Sequence, residues 1–384
     1  MSVSICPACA TSDHRLVLRL EGVPVVCNAL AADAATARAA PMGDVELVAC
    51  PCCGLLYNRA FDEARVAYAT SYENALHHSP SFRAFADALM AGLVERHGLR
   101  GQTLVEIGCG DGYMLDLARR HGVARAVGFD PSMAERVSPY AGEGIAIVPT
   151  LFDAAQLDMP FRAVLCRHVI EHLSDPLTML RDLRAQVGDA DVALYVEVPN
   201  ADWMLRSVSL WDVIYEHVTY WTAPAMETLL RRSGFAPSAI TTGYGDQFLM
   251  VEARPAADQP AFVPSRVEAV LAEAATFGAR ADEAVARWRD RLGAERRAVV
   301  WGAGSKGIAF ANAVDYGSLI AMVDLNPRKH GLYVPGSAVE VVSPDALGAL
   351  APEVVLVSNG LYADEILARM QAMGQSPDIG VITG

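Results

Sequence analysis

The sequence has no uninterrupted apolar run of the roughly 18 residues that a membrane-spanning helix needs, so neither a span nor a membrane partner is expected. It also lacks cationic excess: 31 Lys plus Arg stand against 45 Asp plus Glu, a net charge of −14. That balance excludes the basic footprint that nucleic-acid binding requires. The opening MSVSICPACA has neither the charged nor the apolar segment of a secretory signal, and a cytoplasmic location is expected. In that compartment the eight cysteines are expected as thiols or metal ligands, not disulfides. What is present is ample apolar material, 52% of 384 residues, enough for two or three domains.

The cysteines fall in two knuckles. Cys6-Pro7-Ala8-Cys9 and Cys50-Pro51-Cys52-Cys53-Gly54 are separated by 40 residues. Two C-x-x-C turns each aim two sulfurs at one ion, so Cys6, Cys9, Cys50 and Cys53 are expected to bind a structural zinc. Residues 1–65 form this zinc-binding domain. Four protein ligands leave no open position, and so small a region leans on its metal to fold.

Residues 66–255 read as alternating strands and helices. The entry carries Tyr68, Tyr72, His77 and His78, then a helix from Pro80 with Phe82, Phe85, Ala86, Leu89 and Leu93 on its apolar positions. Thr103–Tyr113, TLVEIGCGDGY, is a short apolar strand running into a glycine turn and then a helix. This is how an α/β domain brings backbone close to a nucleotide-like ligand. Glu106, two residues before Gly108, would repel a pyrophosphate but suit a cationic sulfonium. Asp130 ends the next strand, 18 residues beyond Gly112, where a carboxylate accepts ribose hydroxyls. Phe152, or Leu151 beside it, is placed to stack on adenine. The turn resembles motif I of the class I S-adenosylmethionine (SAM) methyltransferases. Glu106, Gly108, Gly110, Asp130 and Phe152 are thus candidate cofactor residues, with His168 after the fourth strand. His172 lies at the same strand end and is a candidate for catalysis.

The stretch Trp211–Trp221 holds Tyr215, Glu216, His217 and Tyr220 with little apolar periodicity. A histidine beside a carboxylate has the chemistry of a general base with an orienting neighbour. Prolines 255, 260 and 264 mark a boundary, and 256–295 reads as a helical linker. Ser265 and Glu268 suggest a capping box for its helix. Leu271, Ala274, Phe277, Ala281, Val285, Trp288 and Leu292 form a stripe that should pack on a neighbouring domain. Residues 296–384 start a second α/β unit. Gly302-Ala303-Gly304-Ser305-Lys306-Gly307 is a G-x-G-x-x-G turn, and Asp324 follows the next strand, 17 residues after Gly307. Lys306 at a helix N-terminus favours a nucleotide diphosphate there.

Taken together, the fold class expected is α/β: a doubly wound SAM-methyltransferase sheet between a small zinc-binding domain and a Rossmann-like tail. The order of the knuckles, VEIGCGDGYML, RHVIEHLSDP, VEVPN, IYEHVTYW, WGAGSKGIAFANA and VDLNPRKHGLYVPG resembles the sugar C-methyltransferase family. The resemblance covers nearly the whole chain. It implies SAM and zinc, and a nucleotide-diphosphate keto-deoxysugar as substrate. It also implies His217 as base with Glu216 and Tyr215 beside it, His172 as a second active-site histidine, and Tyr72 as an active-site tyrosine. Ser305, Lys306, Gly307 and Asp324 would meet the sugar nucleotide. The loop Ile214-Tyr215-Glu216-His217 is one residue shorter than the family's form, and Tyr244-Gly245-Asp246-Gln247 differs from it. Rival readings are O- or N-methylation, an NAD-dependent oxidoreductase using the tail turn, and a non-catalytic sugar-nucleotide binder. Oligomeric state is not legible in the sequence.

Overall fold

The computed structural model describes residues 3–66, 75–157, 159–256, 264–293, 297–314 and 317–382. Tyr68 and Tyr72 lie outside the described residues. Strands β1 (Arg15–Pro24), β2 (Met42–Ala49) and β3 (Leu56–Asn58) come first, with the short helix α1 (Ala34–Arg38) between the first two. Helix α2 (Pro80–Arg96) starts at its proline, with the Ser79 side chain accepting from the Phe82 N–H. Phe82, Ala86, Leu89, Met90 and Leu93 form its buried face.

The central unit follows. Its strands are β4 (Thr103–Ile107), β5 (Arg125–Phe129), β6 (Ile145–Val148), β7 (Ala163–Arg167) and β8 (Ala193–Pro199), with α3 (Tyr113–Arg120), α4 (Pro176–Val187) and α5 (Ala201–Ser207) among them. The two-residue β9 (Thr219–Tyr220), α6 (Ala223–Arg232) and the hairpin β10 (Phe235–Gly243) and β11 (Phe248–Pro255) complete it. The sheet order is β10-β11-β8-β7-β4-β5-β6. Strands β4 to β8 pair in parallel, and β11 is antiparallel to both neighbours. Near-continuous burial of Leu104 to Ile107 and Ala193 to Val198 is what a sheet covered on both faces demands. The chain leaves β4 for β5 and β6 on one side and returns to β7 on the other. That reversal opens a crevice at the C-terminal ends of β4 and β7, the usual ligand position in such sheets.

Helix α7 (Val267–Leu292) buries Val270, Ala274, Phe277, Ala281, Ala284, Trp288 and Leu292, with Leu271 and Val285 partly covered at the margin. It begins behind Arg266, which has φ 65 and gives no side-chain cap, so Ser265 lies one residue too early for the expected box. The stripe packs on β1, on α5 and on the tail, which makes this segment a spine between units rather than a linker. The tail then adds β12 (Ala298–Trp301), α8 (Ser305–Val314), β13 (Leu319–Val323), β14 (Val341–Val342), α9 (Leu347–Leu350), β15 (Val354–Val357), α10 (Ala363–Ala372) and β16 (Asp378–Val381). Its strands run in the order β14-β13-β12-β15-β16, with parallel pairing throughout. Among the described residues no helix is long and apolar enough to cross a membrane.

The boundary expected at residue 65 is not clean. The N-terminal sheet is β1-β2-β3-β9, its last strand supplied by the central unit through Leu56↔Tyr220 and Tyr57↔Thr219. Short edge strands gain stability only when something pairs with them, and β3 is too short to close a sheet alone.

Candidate active site

Gly108, Gly110 and Gly112 all have positive φ, and the turn they make is braced before any ligand arrives. The Asp130 Oδ2 accepts the Gly110 N–H at 2.7 Å, and its Oδ1 accepts the Ser132 N–H at 2.9 Å. Asp130 therefore fixes the turn. A Cβ on Gly110 would meet nothing within 4 Å, so that residue faces open space. Glu106 is 2% exposed, and its Oε2 has no hydrogen-bond partner among the described residues. Burial pushes its carboxyl up to about 8, with Arg167 opposing and Asp130 and Glu197 adding to the rise. An orphaned buried carboxyl, two neighbouring acids and an open glycine wall fit a cationic ligand such as the SAM sulfonium. Phe152 is half-buried and meets Phe129 edge-on at 5.5 Å.

His168 has φ 53, a conformation few non-glycine residues adopt, and both its ring nitrogens face carboxylates. Nε2 lies 3.1 Å from Glu197 and Nδ1 3.5 Å from Glu171. Burial would depress its pKa, yet the two carboxylates raise it to about 9. Glu197 in turn takes Arg167 at 2.6 Å and the Tyr195 hydroxyl at 2.6 Å. His168 is thus a structural cation, with no nitrogen left to offer a cofactor.

His172 and His217 do come together. Their rings meet edge-on with centroids 4.9 Å apart, and each keeps part of its surface exposed. His172 Nδ1 lies 3.0 Å from the Glu216 carbonyl oxygen, so Nδ1 carries the proton and Nε2 the lone pair. Burial, then His172, holds His217 down to about 3, and its Nδ1 has no hydrogen-bond partner among the described residues. Both rings are thus neutral around pH 7, and His217, with so low a pKa, needs a neighbouring charge to hold a proton there.

Glu216 and Tyr215 sit differently from the sequence expectation. The Glu216 side chain is fully buried, and its carboxyl faces the Cys27 backbone. Burial raises it to about 8, and the Cys27 backbone N–H opposes this. The Tyr215 ring packs on Phe61 at 5.5 Å, and its hydroxyl accepts the Asp62 N–H at 3.0 Å. Successive residues of a turn point in different directions, so adjacency in IYEH does not assemble the three side chains.

The tail cradle repeats the first one's brace: the Asp324 Oδ2 accepts the Ala303 N–H at 2.8 Å. Gly307 packs so close that a Cβ would stand 2.0 Å from the Gly302 carbonyl oxygen. Ser305 Oγ accepts from the Asn28 amide at 2.9 Å. Lys306 reaches out of α8 to Asp212 at 3.2 Å and to the Gln247 Oε1 at 2.9 Å, with its ammonium 4.5 Å from the Trp203 ring centroid. Gln247 and Asn359 exchange amide hydrogen bonds at 2.9 and 2.8 Å across the two units. A cleft of about 260 Å³ opens beside Lys306, between Trp203, Gln247, Ser358 and Asn359. The sequence reading missed Trp203, Gln247, Asn359 and the buried Lys329, whose Nζ donates to the Ala303 carbonyl at 2.8 Å. Lys329, in the basic run after Asp324, and Gln247, in the stretch that departs from the family's form, left signals that could have been read.

The four knuckle sulfurs converge. Cys6 and Cys53 are 3.6 Å apart, Cys9 and Cys50 3.4 Å, and all four lie within 4.8 Å of one another. A tetrahedral zinc with bonds of about 2.3 Å requires sulfurs about 3.7 Å apart, so the donor set and spacing fit.

Comparisons with known proteins agree with this fold. A family model described as "Methyltransferase domain" matches residues 82–239, and one described as "C-methyltransferase C-terminal domain" matches 258–378. The chain is 26% identical to C-methyltransferase NovU of Streptomyces niveus over 94% of its own length and 91% of that protein's. A tRNA U34 carboxymethyltransferase of Campylobacter jejuni is 30% identical over 24% of this chain and 36% of that one. Among solved structures, plantazolicin methyltransferase BpumL in complex with SAH aligns at 16% identity over 47% of this chain and 86% of that chain, TM-score 0.37. Magnesium protoporphyrin IX methyltransferase (ChlM) of Synechocystis PCC 6803 aligns at 20% over 46% and 84%, TM-score 0.35. Likenesses of that size carry no weight beside the topology. The strand order, the acid-flanked glycine turn and the matched domain make this chain a class I SAM-dependent methyltransferase. Its tail matches the C-methyltransferase C-terminal domain, and the chain is similar to NovU along nearly its whole length.

Proposed function

We propose that the enzyme methylates a carbon beside the ketone of a nucleotide-diphosphate keto-deoxysugar. One observation carries the reading most. The two neutral histidines lie at the mouth of the sheet, and Lys306 of the second cradle reaches Asp212 of the same loop at 3.2 Å. Asn28 ties Ser305 to the strand turn that covers Glu216, so the tail and the base loop share one wall.

In this reading Glu106, Gly108, Gly110 and Asp130 hold SAM, with Phe152 at the adenine end. SAM supplies an electrophilic methyl group on a cationic sulfur. Ser305, Lys306 and the N-terminus of α8 bind the diphosphate, Gly307 allows the helix to start close to it, and Asp324 holds the turn. His217 removes the proton beside the ketone, with the His172 ring packed edge-on against it. The protein's main work is to align carbon and methyl, which fixed geometry does well. Cys6, Cys9, Cys50 and Cys53 carry a structural zinc.

The test is a screen of nucleotide keto-sugars with SAM, read by a mass gain of one methyl and by NMR of the product. A carbon-bound methyl is expected. An oxygen- or nitrogen-bound methyl would replace this reading with the rival transferases.

A second experiment addresses the cradle. Gly110→Val puts a branched side chain into the open space the turn faces, at a φ of 53 that already disfavours any side chain. SAM affinity should fall at least about 30-fold, roughly 2 kcal/mol, with the fold retained. Unchanged SAM binding would remove this turn from the cofactor site.

A further inference from the structure

Glu171 is a buried charge beside the histidine pair to which the proposed mechanism gives no role. It follows β7 in the single turn Ile170–His172 and is 1% exposed. Burial pushes its carboxyl up, but the His168 contact and then the His172, His168 and His217 rings bring it below the ordinary value. One oxygen faces His168 at 3.5 Å, while Oε2 has no hydrogen-bond partner among the described residues. A carboxylate oxygen of Glu171 and one ring nitrogen each of His172 and His217 lie within 4.8 Å of one another. Glu216 offers the pair only its backbone carbonyl, and its carboxyl is turned to Cys27.

We infer that Glu171, not Glu216, is the carboxylate that serves the His172–His217 pair. The inference rests on the reading of His217 as base. A proton taken by His217 creates an imidazolium in surroundings that oppose one, because burial and His172 both disfavour it. Glu171 is the nearby charge that opposes them, and it stays ionised because the His168 cation is wedged between it and Glu197. Its place is set by chain geometry: His168, Glu171 and His172 share one turn at the sheet's C-terminal edge. Glu171 is a positioning residue. It acts through the histidines and does not touch substrate.

The experiment compares Glu171→Gln, Glu171→Asp and Glu216→Gln in the full zinc-loaded chain, with His217→Ala alongside. Glu171→Gln should keep SAM affinity within twofold, while methyl transfer and exchange of the substrate's α-proton fall about 10- to 100-fold in kcat. Glu171→Asp should recover part of that loss, and Glu216→Gln should lose less than Glu171→Gln. The ring nitrogen resonances of His217 should move in Glu171→Gln, while those of the remote His330 stay put. Full activity in Glu171→Gln with an inactive His217→Ala would sink this inference alone. Retained exchange in His217→Ala would sink the base reading itself. A larger loss in Glu216→Gln would also overturn the inference. So would a second bound metal per chain that Glu171→Gln abolishes, since the three groups would then be ligands.

Discussion

His217→Ala is expected to lower methyl transfer and α-proton exchange by at least about 10³-fold, in the upper range for loss of a positioned base, with SAM binding unchanged. The His217 loop lies outside the glycine cradle, so cofactor affinity has no reason to follow it. His217→Asn, which keeps a polar side chain of similar reach, should be no better, since an amide cannot hold the proton. The pH dependence sharpens the test. An ordinary histidine titrates near 6.5, but His217 is held down to about 3 by burial and by His172. Its lone pair is therefore free throughout the neutral range. Activity should show no acid-side loss of His217 between about pH 5 and about 8. Rates that fall with an apparent pKa near 6.5 would assign the proton transfer to another group, and unaltered exchange in His217→Ala would do the same.

Loss of the proposed zinc should have a larger effect, and on stability. Structural zinc in small domains contributes on the order of 10–16 kcal/mol to folding, as much as the whole stability of many proteins. Here the consequence should reach the active site. Thr222 donates from the start of α6 to the Gly54 carbonyl at 3.0 Å, and Arg232 from its end to the Ala8 carbonyl at 2.8 Å. Strand β9, two residues beyond His217, pairs with β3 just after the second knuckle. Cys53→Ser or a strong chelator should therefore release one zinc per chain, expose residues near the knuckles to protease, and abolish methyl transfer. SAM binding by the central sheet should survive. Metal analysis, limited proteolysis and calorimetry read these outcomes. A metal-free Cys53→Ser protein with unchanged melting and activity would show that the site is not structural.

The sequence carried the architecture well because strands buried on both faces write continuous apolar runs. Leu104–Ile107 and Ala298–Trp301, each followed by a glycine turn and a later aspartate, placed both cradles. What it could not carry was direction. Nothing in IYEH tells that the Glu216 carbonyl points to His172 while its carboxyl points to Cys27. His168 read as a ligand group because of its position at a strand end, yet two carboxylates distant in sequence or one turn away absorb both nitrogens. The boundary at residue 65 failed for a related reason. Composition marks where the chain changes character, but β9 is recruited to the N-terminal sheet by pairing, which two residues cannot advertise.

That recruited strand bears on how the protein is made. Synthesis runs from the N-terminus, and a nascent chain folds as its segments emerge from the ribosome. Leu56 must wait for Tyr220 before its sheet is complete. The cysteine knuckles are therefore synthesised long before their fourth strand exists, and the contact that finishes them spans much of the chain. Closing so long a loop is entropically slow, and long-range pairing of this kind delays folding. Completion of the N-terminal sheet is thus a late event in the enzyme's biogenesis, and a chain truncated before residue 220 would leave that sheet open.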